Sequence, residues 1–246
     1  METPSESGYV SSGSQSLHVS VYSPENANGV VALICDPLFE ERRCALRTSV
    51  RLADKLSGKG ICAVRFDYSG TGDSSGFQGA VSAVQWIDDI KAVARECASF
   101  GKHLDIIAMR ASTLLAVAAS VPCGKLTLVA PLKSGHEYLH QLELRNRVKS
   151  QAGNMRQDDA NDFGGFVLSQ ETRRQLEELD LCSDCKSLPE QCQLEIIVIG
   201  AGKSLPQTWA PLNERASKVT FIREMPFWGQ TDYFESNLLL DTLAGK

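Results

Sequence analysis

The sequence has no apolar run that approaches the roughly 20 residues needed to cross a bilayer, which argues against a membrane-spanning helix. It has no excess of positive charge either. Its net charge of -5 argues against a nucleic-acid partner. The opening stretch, "METPSESGYVSSGSQS", lacks the basic and apolar segments of a secretory signal. We therefore expect a cytoplasmic protein whose first residues form a short mobile N-terminus.

Cysteine is in mild excess, with eight residues in 246. Cys182, Cys185 and Cys192 lie close together, and a C-x-x-C pair is one half of a typical zinc site. No fourth cysteine or histidine lies nearby in the sequence to complete a tetrahedral set. We therefore expect reduced thiols in a linker, no metal and no other cofactor.

Buried strands and amphipathic helices alternate along the chain. Continuous apolar, β-branched runs predict strands at 28–35, 61–67, 103–109, 125–131, 194–202 and 218–224. Helical spacing of apolar residues predicts helices at 43–60, 80–101 and 112–120, and the chain closes with the stretch at 232–245. A polar–apolar alternation at 16–24 predicts an antiparallel edge strand. The alternation with short connections indicates an α/β fold, with a mostly parallel sheet and helices on both faces.

The alternation breaks between residues 132 and 192. Two polar stretches there are typical of helices, and "AGNMRQDDANDFGG" separates them. We expect a small helical insert or lid at 132–192 within one domain that spans residues 1–246, rather than a second domain.

The segment Asp67-Tyr68-Ser69-Gly70-Thr71-Gly72-Asp73-Ser74 follows the predicted strand at 61–67. Its glycines permit positive φ and close backbone approach, so we interpret it as a structural turn. This turn and the order of the elements resemble the α/β-hydrolase superfamily. The segments "CDPLFEERR", "AMRAS", "APLKSGHEYLHQLELR" and "MPFW" resemble the hydrolase-like proteins associated with exosortase A (PEP-CTERM) systems. This resemblance implies a protein partner in exosortase protein sorting and exopolysaccharide production.

In α/β-hydrolases the nucleophile stands at a sharp strand-to-helix turn, the elbow, which needs small residues two places before and two places after it. Centring the elbow on Ser112 places Arg110 and Leu114 at the crowded positions. Centring it on Arg110 places Ala108 and Ser112 there, and both are small. We therefore expect Arg110 at the apex, and the exosortase-associated group is similar in having an arginine between small residues.

A Ser-His-acid triad is not expected. The guanidinium group stays protonated and cannot act as the nucleophile. The loop "GAGKSLPQ", where the acid should lie, has no carboxylate, and "MPFWGQTDYF", where the histidine should lie, has no histidine. All four histidines precede both loops.

The loop after 28–35 brings Glu40 and Glu41 to the same end of the sheet as Arg110, which favours an ion pair. Three interpretations stay open. In the first, the ion pair of Arg110 with Glu40 or Glu41 only fills the space of an inactive site, as in a pseudo-hydrolase. Alternatively, Arg110 clamps a small anionic, ester or sugar-derived ligand beside Glu40 or Glu41. In the third, an unorthodox hydrolase or acyl transferase uses one glutamate as its general base.

Tyr138 and Trp228 are further candidate ligand contacts, although a solvated helix face and packing are the alternatives. Gln141, on the same predicted helix as Tyr138, is a weaker candidate for lining the cleft. His136 and His140 lie four residues apart on that helix and could share a metal, but we do not expect a metal site there.

Overall fold

The computed structural model describes residues 5–151, 163, 166–229 and 236–245. In that part of the chain the strands are Ser5–Ser12 (β1), Gln15–Tyr22 (β2), Val30–Cys35 (β3), Cys62–Phe66 (β4), His103–Met109 (β5), Lys125–Val129 (β6), Gln193–Ile199 (β7) and Lys218–Ile222 (β8). The α-helices are Phe39–Ser57 (α1), Ala83–Cys97 (α2), Ser112–Ala119 (α3), Gly135–Gln151 (α4), Gln170–Glu177 (α5), Leu181–Asp184 (α6), Ala210–Arg215 (α7) and Asn237–Ala244 (α8).

All these strands form one sheet in the order β1-β2-β4-β3-β5-β6-β7-β8. Strands β4, β3, β5, β6, β7 and β8 pair in parallel, and β2 runs antiparallel to both of its neighbours. The prediction of an α/β fold with a mostly parallel sheet is confirmed. The strand β5, which leads into Arg110, lies in the middle of the sheet between β3 and β6.

Two expectations for the N-terminal region are wrong. The segment at 16–24 is not an edge strand, because β2 lies between β1 and β4. The mobile N-terminus was expected to include residues 5–12, which instead form β1. Gly13, with a φ of 59°, supports the tight turn that pairs Ser12 with Gln15. Strand β1 has few apolar residues because it lies at the edge of the sheet, so apolar alternation gave no signal for it.

Helices cover both faces of the sheet, because side chains alternate along each strand. On β3, Val31 and Leu33 pack with α2 and α3, whereas Ala32 and Ile34 pack with α1 and α8. Both faces of the central strands pack against apolar side chains, which explains why these strands have continuous apolar sequences. The two layers hold the carboxyl ends of the strands in fixed positions.

The turn at 67–76 joins β4 to β2 through its own hydrogen bonds. The Asp67 carboxylate accepts from the backbone N–H of Asp73, and the Ser74 hydroxyl accepts from the backbone N–H of His18. A Cβ atom at Gly72, where φ is 53°, would lie 1.9 Å from an Asp67 carboxylate oxygen. These contacts accord with a structural turn.

Between β6 and β7 the chain forms α4, α5 and α6. The inner face of α4 buries Tyr138, Leu139 and Leu142 against the rest of the core. Most of the predicted connecting stretch, 152–162 with 164 and 165, lies outside the described residues. The single domain with a lid at 132–192 stays a prediction. None of the described helices is long and apolar enough to span a membrane.

A substitution at Gly135, the first residue of α4, tests how closely α4 packs against α5. A Cβ atom there would lie 1.7 Å from the carbonyl oxygen of Leu176, at the end of α5. Gly135→Ala is therefore expected to lower the free energy of unfolding by about 1–3 kcal/mol in urea denaturation, because α4 and α5 must move apart. Gly202→Ala is the matched control, since nothing lies within 4 Å of its Cβ position. Equal effects of the two substitutions would contradict this packing.

Candidate functional site

The candidate site lies where β3, β5 and β6 end side by side. Phe39, Arg110 and Ala130 follow these strands, and their φ angles are 54°, 55° and 45°. Left-handed backbone is unfavourable for residues with a side chain, by about 1–3 kcal/mol each, and such residues cluster at functional sites. The carboxyl edge of a parallel sheet is also where ligands of α/β proteins bind.

Arg110 occupies the apex of the turn between β5 and α3. It is the residue with left-handed φ at this junction, whereas Ser112 is the first residue of α3. The Ser112 hydroxyl is fully buried and donates a hydrogen bond to the carbonyl oxygen of Asp36. Asp36 is in turn held by a buried ion pair with Arg65 on β4. The Ser112 side chain therefore points into the protein interior, where its hydrogen bond stabilises the loop after β3.

Glu41 is the carboxylate that pairs with Arg110. Nε of Arg110 donates to Oε2 of Glu41 at 3.2 Å, and Nη2 donates to Oε1 at 3.0 Å. Glu40 is partly exposed in the first turn of α1. Successive residues of a helix point about 100° apart, so only one of two adjacent glutamates can face the elbow. Glu41 faces it and is fully buried.

The guanidinium of Arg110 has further partners besides Glu41. Nη2 donates to Oε1 of Gln141 at 2.8 Å, and Nη1 donates to the carbonyl oxygen of Ala130 at 3.3 Å. Trp228 covers the group, with its ring centroid 4.3 Å from Cζ, which is a cation–π contact. Four of the five N–H donors are thus engaged, and Arg110 is only 4% exposed.

Arg145 on α4 is a site residue that the sequence interpretation missed. Its Nη2 donates to Oε1 of Glu41 at 2.8 Å, so one carboxylate bridges two guanidinium groups. The Arg145 side chain is 30% exposed, and it is the outer cation of the pair. The sequence spacing could have indicated this role. Residues 137, 141 and 145 are four places apart, so they lie on one face of the helix, and Gln141 was already a candidate.

Tyr138 lies beneath the site rather than at its surface. It is fully buried, its ring stacks on Phe39 at 6.0 Å, and its hydroxyl donates to the carbonyl oxygen of Leu38. Burial raises its pKa well above the ordinary value, so the phenol stays neutral. A ligand-binding role for Tyr138 was predicted, but a residue in this position supports the loop after β3. Trp228, in contrast, is partly exposed.

The four histidines lie away from the elbow apex. His103 begins β5, at the opposite end of the sheet, and His18 lies on β2. His136 and His140 are exposed on α4, whose inner face carries Gln141. The loop after β7 begins at Gly200 and is largely exposed. The part of the loop after β8 at 230–235 lies outside the described residues.

One group of three metal-ligating side chains occurs in the described part of the chain, namely His18, Asp67 and Asp73. Arg42 forms an ion pair with Asp67, so a cation already occupies that carboxylate. Cys182 and Cys185 are not part of such a group among the described residues, and neither are His136 and His140.

The fold was compared with solved structures. A protein of Agrobacterium vitis S4 classed as a hydrolase has a TM-score of 0.64 at 16% identity, and the match covers 98% of this chain and 96% of that one. An α/β serine hydrolase without a lid, from Xanthomonas campestris, has a TM-score of 0.56 at 16% identity, with 93% and 88% covered. The α/β-hydrolase GrgF from a Penicillium species has a TM-score of 0.63 at 13% identity, with 89% of each chain covered.

No protein-family model matches the chain, and neither does any curated protein sequence. The structural neighbours show that the chain has the α/β-hydrolase fold. A fold at this level of identity hosts many functions, so the function must be argued from the site.

The buried pair makes a first prediction for the site. Arg110→Ala is expected to lower the free energy of unfolding by roughly 3–5 kcal/mol, because Glu41 then stays buried with Arg145 as its remaining cation. Glu41→Ala should cost at least as much, since it leaves two guanidinium groups together without their carboxylate. The free energies are measured by urea denaturation with circular dichroism.

Arg174→Ala is the control, because Arg174 makes only surface ion pairs with Glu171 and Glu178 and should change stability by less than about 1 kcal/mol. The double variant Arg110→Met with Glu41→Gln should recover much of the loss, since it removes the charge and keeps the volume. An Arg110→Ala protein as stable as the Arg174→Ala protein would disprove the pairing.

The position of Ser112 makes a second prediction. Its hydroxyl is buried and bonded to Asp36, and none of the four histidines, all of which lie in the described part of the chain, hydrogen-bonds to it to remove its proton. A fluorophosphonate probe is therefore expected to leave Ser112 unmodified at neutral pH, as measured by peptide mass spectrometry. Stoichiometric labelling of Ser112 would show that the serine, and not the arginine, is the exposed elbow residue.

Proposed function

We propose that this protein is a hydrolase-fold binding or accessory protein that has lost serine hydrolysis and takes a small anionic ligand at the mouth of the former active site. The observation that carries the proposal is the position of Arg110. It stands at the elbow apex, and both of its bonds to Glu41 hold it there. A guanidinium group has no lone pair to offer an acyl carbon at physiological pH.

Catalysis by Glu41 as a general base is the competing proposal, in which the protein is an unorthodox hydrolase or acyl transferase. A general base must reach the proton that it removes, directly or through one water. Glu41 is fully buried, and its two oxygens accept from Arg110 and Arg145. A carboxylate in this arrangement neutralises two cations, which favours the binding role.

The reachable part of the site is cationic and aromatic. Arg145 is 30% exposed and Trp228 is partly exposed, whereas Arg110 lies behind them. Two guanidinium groups share the Glu41 carboxylate, and the next carboxylate, Glu137, reaches the cluster only through Gln141. Arg145 is therefore the exposed cation of the cluster. Arginine binds carboxylate and phosphate oxygens through paired N–H donors. Among the anionic, ester and sugar-derived classes, an anion or an acidic sugar derivative therefore fits best.

The resemblance to exosortase-associated proteins extends the proposal to a partner. If the chain acts beside an exosortase or exopolysaccharide system, acidic sugars are ligands of the required class. Arg110 then has a positioning role, because it orients Glu41, which in turn orients Arg145. Glu40, partly exposed beside Glu41, is the proposed hydrogen-bond acceptor for a ligand hydroxyl.

Thermal stabilisation by matched sugars tests the ligand class. Glucuronate and glucose 1-phosphate at millimolar concentrations are expected to raise the melting temperature, whereas neutral glucose should not, since only the anions pair with Arg145. Arg145→Gln should abolish the shift. Arg147→Gln, an exposed arginine on the same helix, should retain it. An equal shift in both variants, or no shift with either anion, would contradict the proposed site.

A panel of p-nitrophenyl esters and acyl thioesters distinguishes the binding role from catalysis. The wild type is expected to show no turnover above the uncatalysed rate. Turnover that disappears in Glu41→Gln would establish the competing enzyme. The Arg147→Gln protein again serves as the control.

A further inference from the structure

A pair of thiols lies at the end of the sheet opposite the candidate site. Sγ of Cys123 and Sγ of Cys192 are 3.2 Å apart and share a hydrogen bond. Both residues are buried, and neither takes part in the site around Arg110. Cys123 lies in the turn between α3 and β6, and Cys192 immediately precedes β7.

The sheet fixes the backbone on both sides of this pair. Lys125 and Gln193 are partners at the start of the parallel β6–β7 ladder, and the Gln193 N–H donates to the carbonyl oxygen of Gly124. Arg215 donates from Nη2 to the carbonyl oxygens of Pro189 and Cys192, at 2.8 and 2.9 Å. The two sulfurs are thus held together by the register of adjacent strands and by α7.

The charges around the pair favour a thiolate at Cys192. The hydrogen bond from Cys123 lowers the pKa of the Cys192 thiol below its ordinary value, against the effect of burial, and the Arg215 guanidinium adds to the lowering. The same hydrogen bond raises the pKa of Cys123, and Asp105 raises it further. The remaining six cysteines all have raised pKa values, chiefly because of burial. A thiolate is the reactive form of cysteine, so Cys192 is the thiol most prepared to react.

A metal does not explain the arrangement. Among the described residues, no group of three ligands with closely spaced donor atoms includes Cys123 or Cys192. A structural zinc site needs four ligands, whereas a disulfide needs only two thiols. The pair therefore fits a disulfide better than a zinc site.

We propose that Cys123 and Cys192 are a reversible disulfide site, with hydrogen peroxide as the oxidant. The Cys192 thiolate attacks one peroxide oxygen, the O–O bond breaks, and hydroxide leaves with the other oxygen. The product is a sulfenic acid at Cys192. Cys123 loses its proton and attacks this sulfur, the S–O bond breaks, and a second hydroxide leaves. The two hydroxides take up the protons lost by the two thiols, so two thiols are oxidised and one peroxide is reduced to two waters. A thiol reductant reverses the change.

The disulfide would join the start of β6 to the start of β7 and close the loop that contains α4. That loop carries Gln141 and Arg145, which bond to Arg110 and Glu41. Because β6 and β7 are already paired, the cross-link would act mainly on the unfolded chain and so stabilise the fold that holds these residues. The thiol site does not depend on the proposed function. A cross-link over a loop of this length is expected to raise the melting temperature by about 5 °C or more.

Mass spectrometry of the native full chain tests the site. Peroxide treatment of the wild type is expected to lower the intact mass by about 2 Da, reversed by dithiothreitol, and non-reducing peptide mapping should recover one linkage, Cys123 to Cys192. This measurement needs no variant. A linkage between any other pair, or eight free thiols after treatment that oxidises glutathione completely, would overturn the proposal.

Variants separate the two steps. In Cys123→Ser the disulfide should not form, and dimedone should trap the sulfenic acid at Cys192. In Cys192→Ser neither product should appear at Cys123. Cys182→Ser is the matched control and should keep both the mass loss and the thermal shift. Dimedone labelling of Cys123 in Cys192→Ser, at the rate seen for Cys192, would contradict the assigned nucleophile.

Discussion

The buried ion pair between Arg110 and Glu41 connects the parts of this protein that meet at the carboxyl edge of the sheet. Arg110 follows β5, Glu41 lies in the first turn of α1, and Arg145 reaches the same carboxylate from α4. A buried charge without a partner is strongly destabilising, so each of these elements depends on the others for its position. The site is therefore a joint between the sheet and two helices as well as a candidate binding surface.

The backbone at this joint is unusual for the residues that occupy it. A left-handed turn at this position exposes the side chain of a nucleophile above the sheet. An arginine cannot attack an acyl group, so exposure gives it no catalytic role. Four hydrogen bonds and the Trp228 ring stabilise the side chain in this conformation. The left-handed turn after β5 thus holds a buried cation at the carboxyl edge of the sheet.

The sequence predicted the central sheet because its buried strands are continuous apolar runs, and it predicted Arg110 because the elbow tolerates only small neighbours. It did not decide between Glu40 and Glu41, since the answer depends on α1 beginning at Phe39. Arg145 was not predicted, because its contact with Glu41 depends on how α4 packs against α1, and no local sequence pattern specifies that packing. Strand β1 was missed for a related reason: a polar edge strand forms through its pairing with β2 rather than through its own burial.

The joint also has a consequence for the order of events in folding. Glu41 is separated along the chain from Arg110 by 69 residues and from Arg145 by 104 residues. Contacts over such distances carry a large loop-closure entropy, so they form after the local strand–helix units have assembled. Interactions that are absent from the folding transition state act on the unfolding rate rather than the folding rate. We therefore expect the ion cluster to act mainly by slowing unfolding, so that it lengthens the lifetime of the folded state.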